Sequence, residues 1–309
     1  MNFHFAPVQG HTDAAFRHFH AKNYNGDQLT YYTPFIRLEK GELRPKDLKD
    51  LTSSLNDNIN LVPQIIFRDK LELQKLVEIL YDLGYREIDL NMGCPFPLQT
   101  GHGRGAATIT DTELAKSIVE TVKRYPDVRF SVKMRLGMEN PEEWKTLLPY
   151  LNSIPLKHLA LHPRVARQQY GGEVNYEQFG DFIRACKNPV VYNGDLKSPA
   201  DIRRIIERFP EISGIMIGRG LLSRPSLISE FIAGKEIPSS ERIAGMFKFH
   251  HELYSHYSSV LCGDSQILSK IQPFWEYAEK EIGRKAWKAI RKAVNVAKYQ
   301  TAIALITSK

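Results

Sequence analysis

The sequence predicts an α/β fold: a parallel (β/α)8 TIM barrel followed by a C-terminal all-helical domain. Three observations carry this reading. Eight short apolar runs recur over roughly the first 230 residues, most of them separated by helical patterns. The turn after the first run, APVQGHTD, lacks the G-x-G-x-x-G that would open a doubly wound sheet. Beyond about residue 240 the strand candidates stop and only helical patterns remain.

The runs are 3–8, 29–36, 60–67, 87–91, 129–135, 157–162, 189–194 and 213–218. Most are rich in Val, Ile, Leu, Phe and Tyr, as buried parallel strands are. The run 29–36 is interrupted by Pro34, and 37–59 holds no well-defined helix. Between the later runs the helices are clearer. Residues 71–85 space their apolar side chains by three and four and close on Gly84. Residues 111–126 open with Asp111 as N-cap and Glu113 in the first turn. A helix over 141–154 starts with a proline, and another covers 175–186. In 198–210, Ser198 is the cap and Pro199 the first helical residue.

The boundary falls in FIAGKEIPSSER, which divides 1–238 from 239–309. Three helices are expected after it, over 241–260, 267–282 and 284–306. In the last, Arg284, Lys288, Arg291 and Asn295 share one face, and Ile290, Val294 and Ala297 another. The chain carries a net charge of +7. Residues 240–309 hold 11 Lys/Arg against 6 Asp/Glu, so this segment carries most of the excess. A basic helix face suits a polyanion, most commonly nucleic acid.

Composition narrows the class. A hydrophobic share of 42% and an aromatic share of 10% are those of a soluble globular protein. The first residues lack a basic stretch followed by an apolar one, so no signal peptide is expected. No apolar run approaches the roughly 20 residues of a membrane helix, so no membrane partner is expected. The three cysteines are far apart and share no metal-ligand spacing, which points to a reducing compartment, the cytoplasm, and to no metal. Cys186 and Cys262 read as small packing residues. Cys94 does not: it stands between Gly93 and Pro95, just past a strand.

In a barrel of this kind the active site lies at the C-terminal ends of the strands. Nearly every strand delivers polar residues there. The first ends in Pro7-Val8-Gln9 and the third carries Gln64. The fourth ends in Asn91 and then Cys94, and the fifth carries Lys133 and Arg135. The sixth ends in His162 and Arg164, the seventh in Asn193-Gly194-Asp195, and the eighth in Gly218-Arg219-Gly220. A lysine lining a barrel costs several kcal/mol unless it is paired, so Lys133 points to a polar ligand. The loops after the last two strands are where such barrels commonly hold a phosphate. Glycines let backbone N–H groups approach the anion, and Arg219 adds charged donors. A phosphorylated cofactor or substrate is therefore expected.

Taken together, APVQGHTDAAFR, PQIIF, DLNMGCP…GRGAA, SVKMRLG, LHPRVARQQYGG, VYNGDLKS and GIMIGRGLLSRP resemble the tRNA-dihydrouridine synthase family. They span residues 6–225 in order. The resemblance implies an FMN-dependent reduction of uridine to 5,6-dihydrouridine in tRNA, with NADPH as reductant and a monomeric enzyme. It implies that Pro7, Val8 and Gln9 pass under the flavin ring. Gln64 and Lys133 would meet the ring's polar edge, and His162 would also contact FMN. Asn193, Gly194, Asp195, Gly218 and Arg219 would hold its ribityl phosphate. Asn91 would hold the uracil, with Arg135 and Arg164 also on the substrate side. Hydride would pass from reduced FMN to C6, and Cys94 would give the proton to C5. A thiol can do that only while protonated. The family's appended helical domain binds tRNA, which gives Arg284, Lys288 and Arg291 a phosphate backbone to meet. Val8, Leu98, Pro163 and Arg224 depart from the family pattern.

Two other readings share parts of this pattern. An FMN barrel acting on a free small molecule, of the dihydroorotate dehydrogenase or ene-reductase type, has no use for a basic helical tail. A barrel that only binds RNA has no use for Cys94.

Overall fold

A computed structural model describes residues 1–24 and 26–307 of the chain. Among these described residues eleven strands form: β1 (Asn2–Phe5), β2 (Leu29–Tyr32), β3 (Leu38–Glu39), β4 (Glu42–Leu43), β5 (Asn60–Val62), β6 (Gln64–Ile65), β7 (Glu87–Met92), β8 (Arg129–Gly137), β9 (Leu159–Val165), β10 (Val190–Asn193) and β11 (Gly214–Ile217). Nine of them form one parallel sheet in the order β5-β2-β1-β11-β10-β9-β8-β7-β6. The end strands β5 and β6 are consecutive in sequence and parted only by Pro63. Proline has no N–H for the ladder, so one strand is split there: its first half pairs β2 and its second half β7. The sheet thus returns on itself as a barrel of eight strand positions.

The two remaining strands lie in 37–59, the segment without a clear pattern. β3 and β4 form an antiparallel hairpin, followed by a helix over Pro45–Leu51. A helix over Ala14–Asn23, capped by the Asp13 side chain on Phe16 N–H, also fills the first crossover. Elsewhere the sequence cues hold. Asp111 accepts from Leu114 N–H at the head of Thr112–Arg124. Ser198 and Asp201 form a reciprocal capping box on Pro199–Arg208. The helix expected from residue 141 begins only at Trp144, after a turn held by Glu143.

The helical segment is more broken than its periodicity suggests. Ser239–Val260 is continuous, but the stretch 267–282 is interrupted. Asp264–Ile271 ends where Pro273 enters a 3-10 turn, and a short helix follows over Glu279–Ile282. The expected single helix over 284–306 is two, Arg284–Lys292 and Val296–Thr307. Asn295 caps the second by accepting from Lys298 N–H, so it leaves the basic face. Val294 is 71% exposed at the break rather than buried. Cys262 is exposed in the turn after Val260, contrary to a packing role, and all three cysteines are free.

These helices pack on the first barrel helix. Phe249 meets Phe16 edge-on at 5.0 Å, and Asp13 accepts from Tyr257 and Lys270. One apolar core runs through both parts, with Trp275, Ile271 and Ile290 fully buried in the helical one. Among the described residues no helix is long and apolar enough to cross a membrane.

Candidate active site

Strand periodicity decides which side chains point inward. Alternate residues of a strand share a face, so Asp89 and Asn91, then Ser131, Lys133 and Arg135, then Ala160 and His162 face the barrel axis. Ala6, Tyr32, Val62, Ala160, Val191 and Met216 fill the middle of the barrel as an apolar plug. Below it, Tyr32 Oη bridges His4 Nδ1 at 3.0 Å and His158 Nε2 at 3.3 Å. Above it, at the C-terminal ends, opens a cleft with about 1030 Å³ of empty space, part of it open to solvent.

That cleft gathers the residues singled out in the sequence. Pro7, Val8, Gln9, Gln64, Lys133, His162, Asn193, Gly194, Asp195, Gly218 and Arg219 all line it, together with Asn91, Cys94 and Arg135. Arg164 lies behind the wall, buried, and donates to His162 at 3.2 Å, to Gly172 O at 2.6 Å and to Asp195. Arg284, Lys288 and Arg291 lie apart, exposed on their helix, and no ion pair engages them among the described residues.

The Cys94 loop is tightly built. Asn91 Oδ1 accepts from the backbone N–H groups of Gly93 at 3.1 Å and Cys94 at 2.9 Å. Ala106 N–H donates to Cys94 O at 3.1 Å. Gly105 is in the left-handed region at φ +62°, and a Cβ there would come within 2.8 Å of the Cys94 Cβ. Arg104 ties the same loop to the helix Lys70–Asp82 through two bonds to Glu72. This explains the spacing NMGCP…GRGAA: the later glycine and arginine back the cysteine. Burial pushes the Cys94 thiol above its ordinary pKa, against the Phe96 N–H and the positive charges of Lys133 and Arg135. The thiol is therefore protonated at neutral pH.

Charge in the cleft is mainly positive. The Lys133 ammonium has no hydrogen-bond or ion-pair partner among the described residues. Burial, then Arg135, lowers its pKa to about 8 against the pull of Asp89 and Cys94. His162 is held well below the usual imidazole range by burial and the surrounding cations, so it is neutral. Arg164 can only donate to His162 Nε2, which places the ring proton on Nδ1. Arg219 lies 4.0 Å over the Tyr170 ring and donates to Asp195 at 3.1 Å.

These residues fit a flavin phosphate well. An unpartnered ammonium on the cleft floor suits the electron-rich edge of a ring that gains negative charge. Gly194 and Gly218 flank space that side chains would fill: a Cβ on Gly194 would sit 3.1 Å from Tyr192 Oη. Gly220 brings the last two loops together, because a Cβ there would fall 2.0 Å from Leu196 O. Among the described residues no cluster of His, Cys, Asp and Glu is placed to hold a metal ion.

Several cleft residues escaped the sequence reading. Tyr170, Lys197 and Phe35 line it, and Tyr277 reaches it from the helical segment, with His11 edge-on at 5.2 Å. Asp89, fully buried under the floor, carried the one readable signal: it stands two residues before Asn91, hence on the same inward face.

Comparison with known proteins agrees with this geometry. A family model described as Dihydrouridine synthase matches residues 4–307. A probable tRNA-dihydrouridine synthase of Rhodobacter capsulatus is 26% identical, over 83% of this chain and 78% of its own. Probable tRNA-dihydrouridine synthase 2 of Bacillus subtilis is 27% identical, over 83% and 79%. Among solved structures, morphinone reductase superposes with a TM-score of 0.54 at 10% identity, over 76% of this chain and 86% of that one, a likeness of fold.

Proposed function

The chain belongs to the dihydrouridine synthase family, and from that premise we propose how its residues act. The activity is flavin-dependent reduction of uridine in tRNA. The observation that carries the mechanism is a protonated thiol, Cys94, on the same cleft as the unpartnered ammonium of Lys133.

The flavin is FMN, and NADPH is its reductant. Bound there, reduced FMN would supply the hydride for uracil C6. Gly194, Gly218 and Arg219 hold its phosphate, with Asn193, Asp195 and Lys197 around them. Pro7, Val8 and Gln9, which line the cleft, would pass under its ring. Gln64 and the Nδ1–H of His162 donate to its polar atoms, and Lys133 favours negative charge there. The uracil would enter the same cleft, turned out of the RNA at a cost of a few kcal/mol. Asn91 and Arg135 meet its edge, Arg164 orients His162 from behind, and Cys94 gives its proton to C5. Arg284, Lys288 and Arg291 hold the tRNA backbone. The enzyme works as a cytoplasmic monomer.

The competing reading, reduction of a free small molecule, is tested by substrate choice. The purified protein with NADPH is expected to consume reductant on unmodified tRNA and to leave free uridine, orotate and cyclohexenone unchanged. Turnover on one of the small molecules and none on tRNA would overturn the proposal.

Two variants probe its parts. Gly220→Ala pushes the last two loops apart at a cost of about 3 kcal/mol. The protein is expected to purify with most of its flavin lost, read as the ratio of flavin to protein absorbance. Replacing Arg284, Lys288 and Arg291 by Ala removes three phosphate contacts. The slope of log affinity for tRNA against log salt is expected to become shallower by about 2 to 3. NADPH oxidation without RNA should not change.

A further inference from the structure

Beneath the cleft floor runs a chain of hydrogen bonds with a fixed direction. Ser131 Oγ donates to Asp89 Oδ1 at 2.5 Å. Gln64 Nε2 donates to Asp89 Oδ2 at 2.7 Å. Asn91 Nδ2 donates to Gln64 Oε1 at 2.7 Å. Asn91 Oδ1 then accepts from the N–H groups of Gly93 and Cys94. The parallel register explains the contacts, since Gln64 is level with Asp89 and Asp89 with Ser131.

The two ends of this chain are chemically fixed, while its middle is not. A carboxylate only accepts, and a backbone N–H only donates. The amides of Gln64 and Asn91 are nearly symmetric in shape, so their orientation is set by their partners. With an acceptor at residue 89 and donors at 93 and 94, one head-to-tail arrangement satisfies every group. Without the acceptor at 89, Gln64 can turn over. Its N–H2 then faces the N–H2 of Asn91, and Asn91 must turn too, which sets donor against donor at the Cys94 loop.

We propose that Asp89 is a positioning residue for Cys94: as the buried acceptor at the head of the Gln64–Asn91 chain, it fixes the orientation of both amides and so the loop that holds the thiol. The significance for catalysis rests on Cys94 being the proton donor, but the positioning itself does not. Burial raises the Asp89 carboxyl to about 6, so it is largely ionised at neutral pH and accepts from both neighbours. Burying such a charge is costly. Its presence calls for a role other than packing.

Asp89→Leu separates the two roles. If Asp89 serves packing alone, the leucine leaves the loop unchanged. If it positions the loop, amide hydrogen exchange at Gly93 and Cys94 should rise about tenfold, the weight of one hydrogen bond. Alkylation of Cys94 by iodoacetamide, with Cys186 and Cys262 replaced by Ser, should rise similarly. The melting temperature should fall somewhat, because Ser131 Oγ–H and Gln64 Nε2–H lose their acceptor, while exchange in strands away from the loop stays protected. Asp89→Asn keeps an acceptor for Gln64 and turns its N–H2 toward Ser131 Oγ, so it should restore wild-type exchange. Should Asp89→Leu fail to fold, Gln64→Met cuts the next link and is expected to loosen the same two amides. Wild-type exchange at Gly93 and Cys94 in a folded Asp89→Leu or Gln64→Met protein would overturn the proposal, as would Asp89→Asn behaving like Asp89→Leu. These readouts need no substrate. A protein inactive on tRNA would contradict the proposed function and leave this test intact.

Discussion

Cys94→Ala is expected to lower turnover on tRNA by about 10²- to 10⁴-fold, the share a positioned general acid supplies. The loop around it should survive. Asn91, Ala106 and Arg104 hold the backbone on both sides through bonds that do not involve the thiol. Flavin content, reduction by NADPH and tRNA affinity should therefore stay near wild type. The loss belongs to the proton step alone. The pH dependence follows from the same burial. The thiol's pKa is raised, so the acid form persists at neutral pH and is lost only as the solution becomes strongly basic. A rate that falls on the alkaline side in wild type, and a Cys94→Ala rate without that limb, would separate Cys94 from other groups. Unchanged turnover in Cys94→Ala would favour a barrel that binds RNA without this chemistry.

The second large effect concerns stability in acid. Three buried histidines are held neutral mainly by burial: His20 at about 3, His250 at about 3 and His158 at about 4, against an ordinary value of 6.5. Each is engaged while neutral. His20 bonds Tyr31 Oη and Pro225 O, and His250 bonds Tyr299 Oη. Below pH 6.5 the unfolded chain binds protons that the fold excludes, so stability falls as the pH falls. Each group contributes more than 1 kcal/mol per pH unit in that window. Asp89 acts in the opposite sense. Its folded value of about 6 lies above 3.8, so the fold takes up that proton first and gains between pH 6 and 4. These four groups together give a slope of roughly 3 kcal/mol per pH unit, and His4 and His162, also held well below the ordinary value by burial, steepen it; a typical stability of about 5–15 kcal/mol is exhausted within a few units. Cooperative loss of the helical circular dichroism signal is expected between pH 5 and 4. A native signal at pH 4 would contradict it.

Much of the fold could be read from the chain, because a parallel barrel is assembled from repeated local signals. Asp111 and Ser198 announce their helices, and the eight apolar runs mark the strand positions. Pro63 was the less obvious case. It looks like a break within one strand, and it is also where the sheet closes. The helical segment was harder to divide. Pro273 could have marked one interruption, but Ala293, Val294 and Asn295 carry no strong breaker. The second break depends on how Ala293 and Tyr299 pack into the core.

The cleft residues were legible for a related reason. Strand ends meet at one rim whatever the loops do, so Lys133, His162 and Asn193 converge by topology alone. Tyr277 was not legible, since its place depends on docking between the helices and the barrel. Arg164 also differs from a simple reading. Its position predicts a rim residue, yet three acceptors draw its guanidinium behind the wall.

The most direct measurement uses tRNA from cells that lack dihydrouridine. The tRNA is incubated with the purified protein and NADPH, then digested and mapped by mass. A gain of two hydrogens at a defined uridine, absent with Cys94→Ala, is the expected result. A flavin that NADPH reduces, with no mass gain on any tRNA fragment, would contradict uridine reduction in tRNA as the reaction of this cleft.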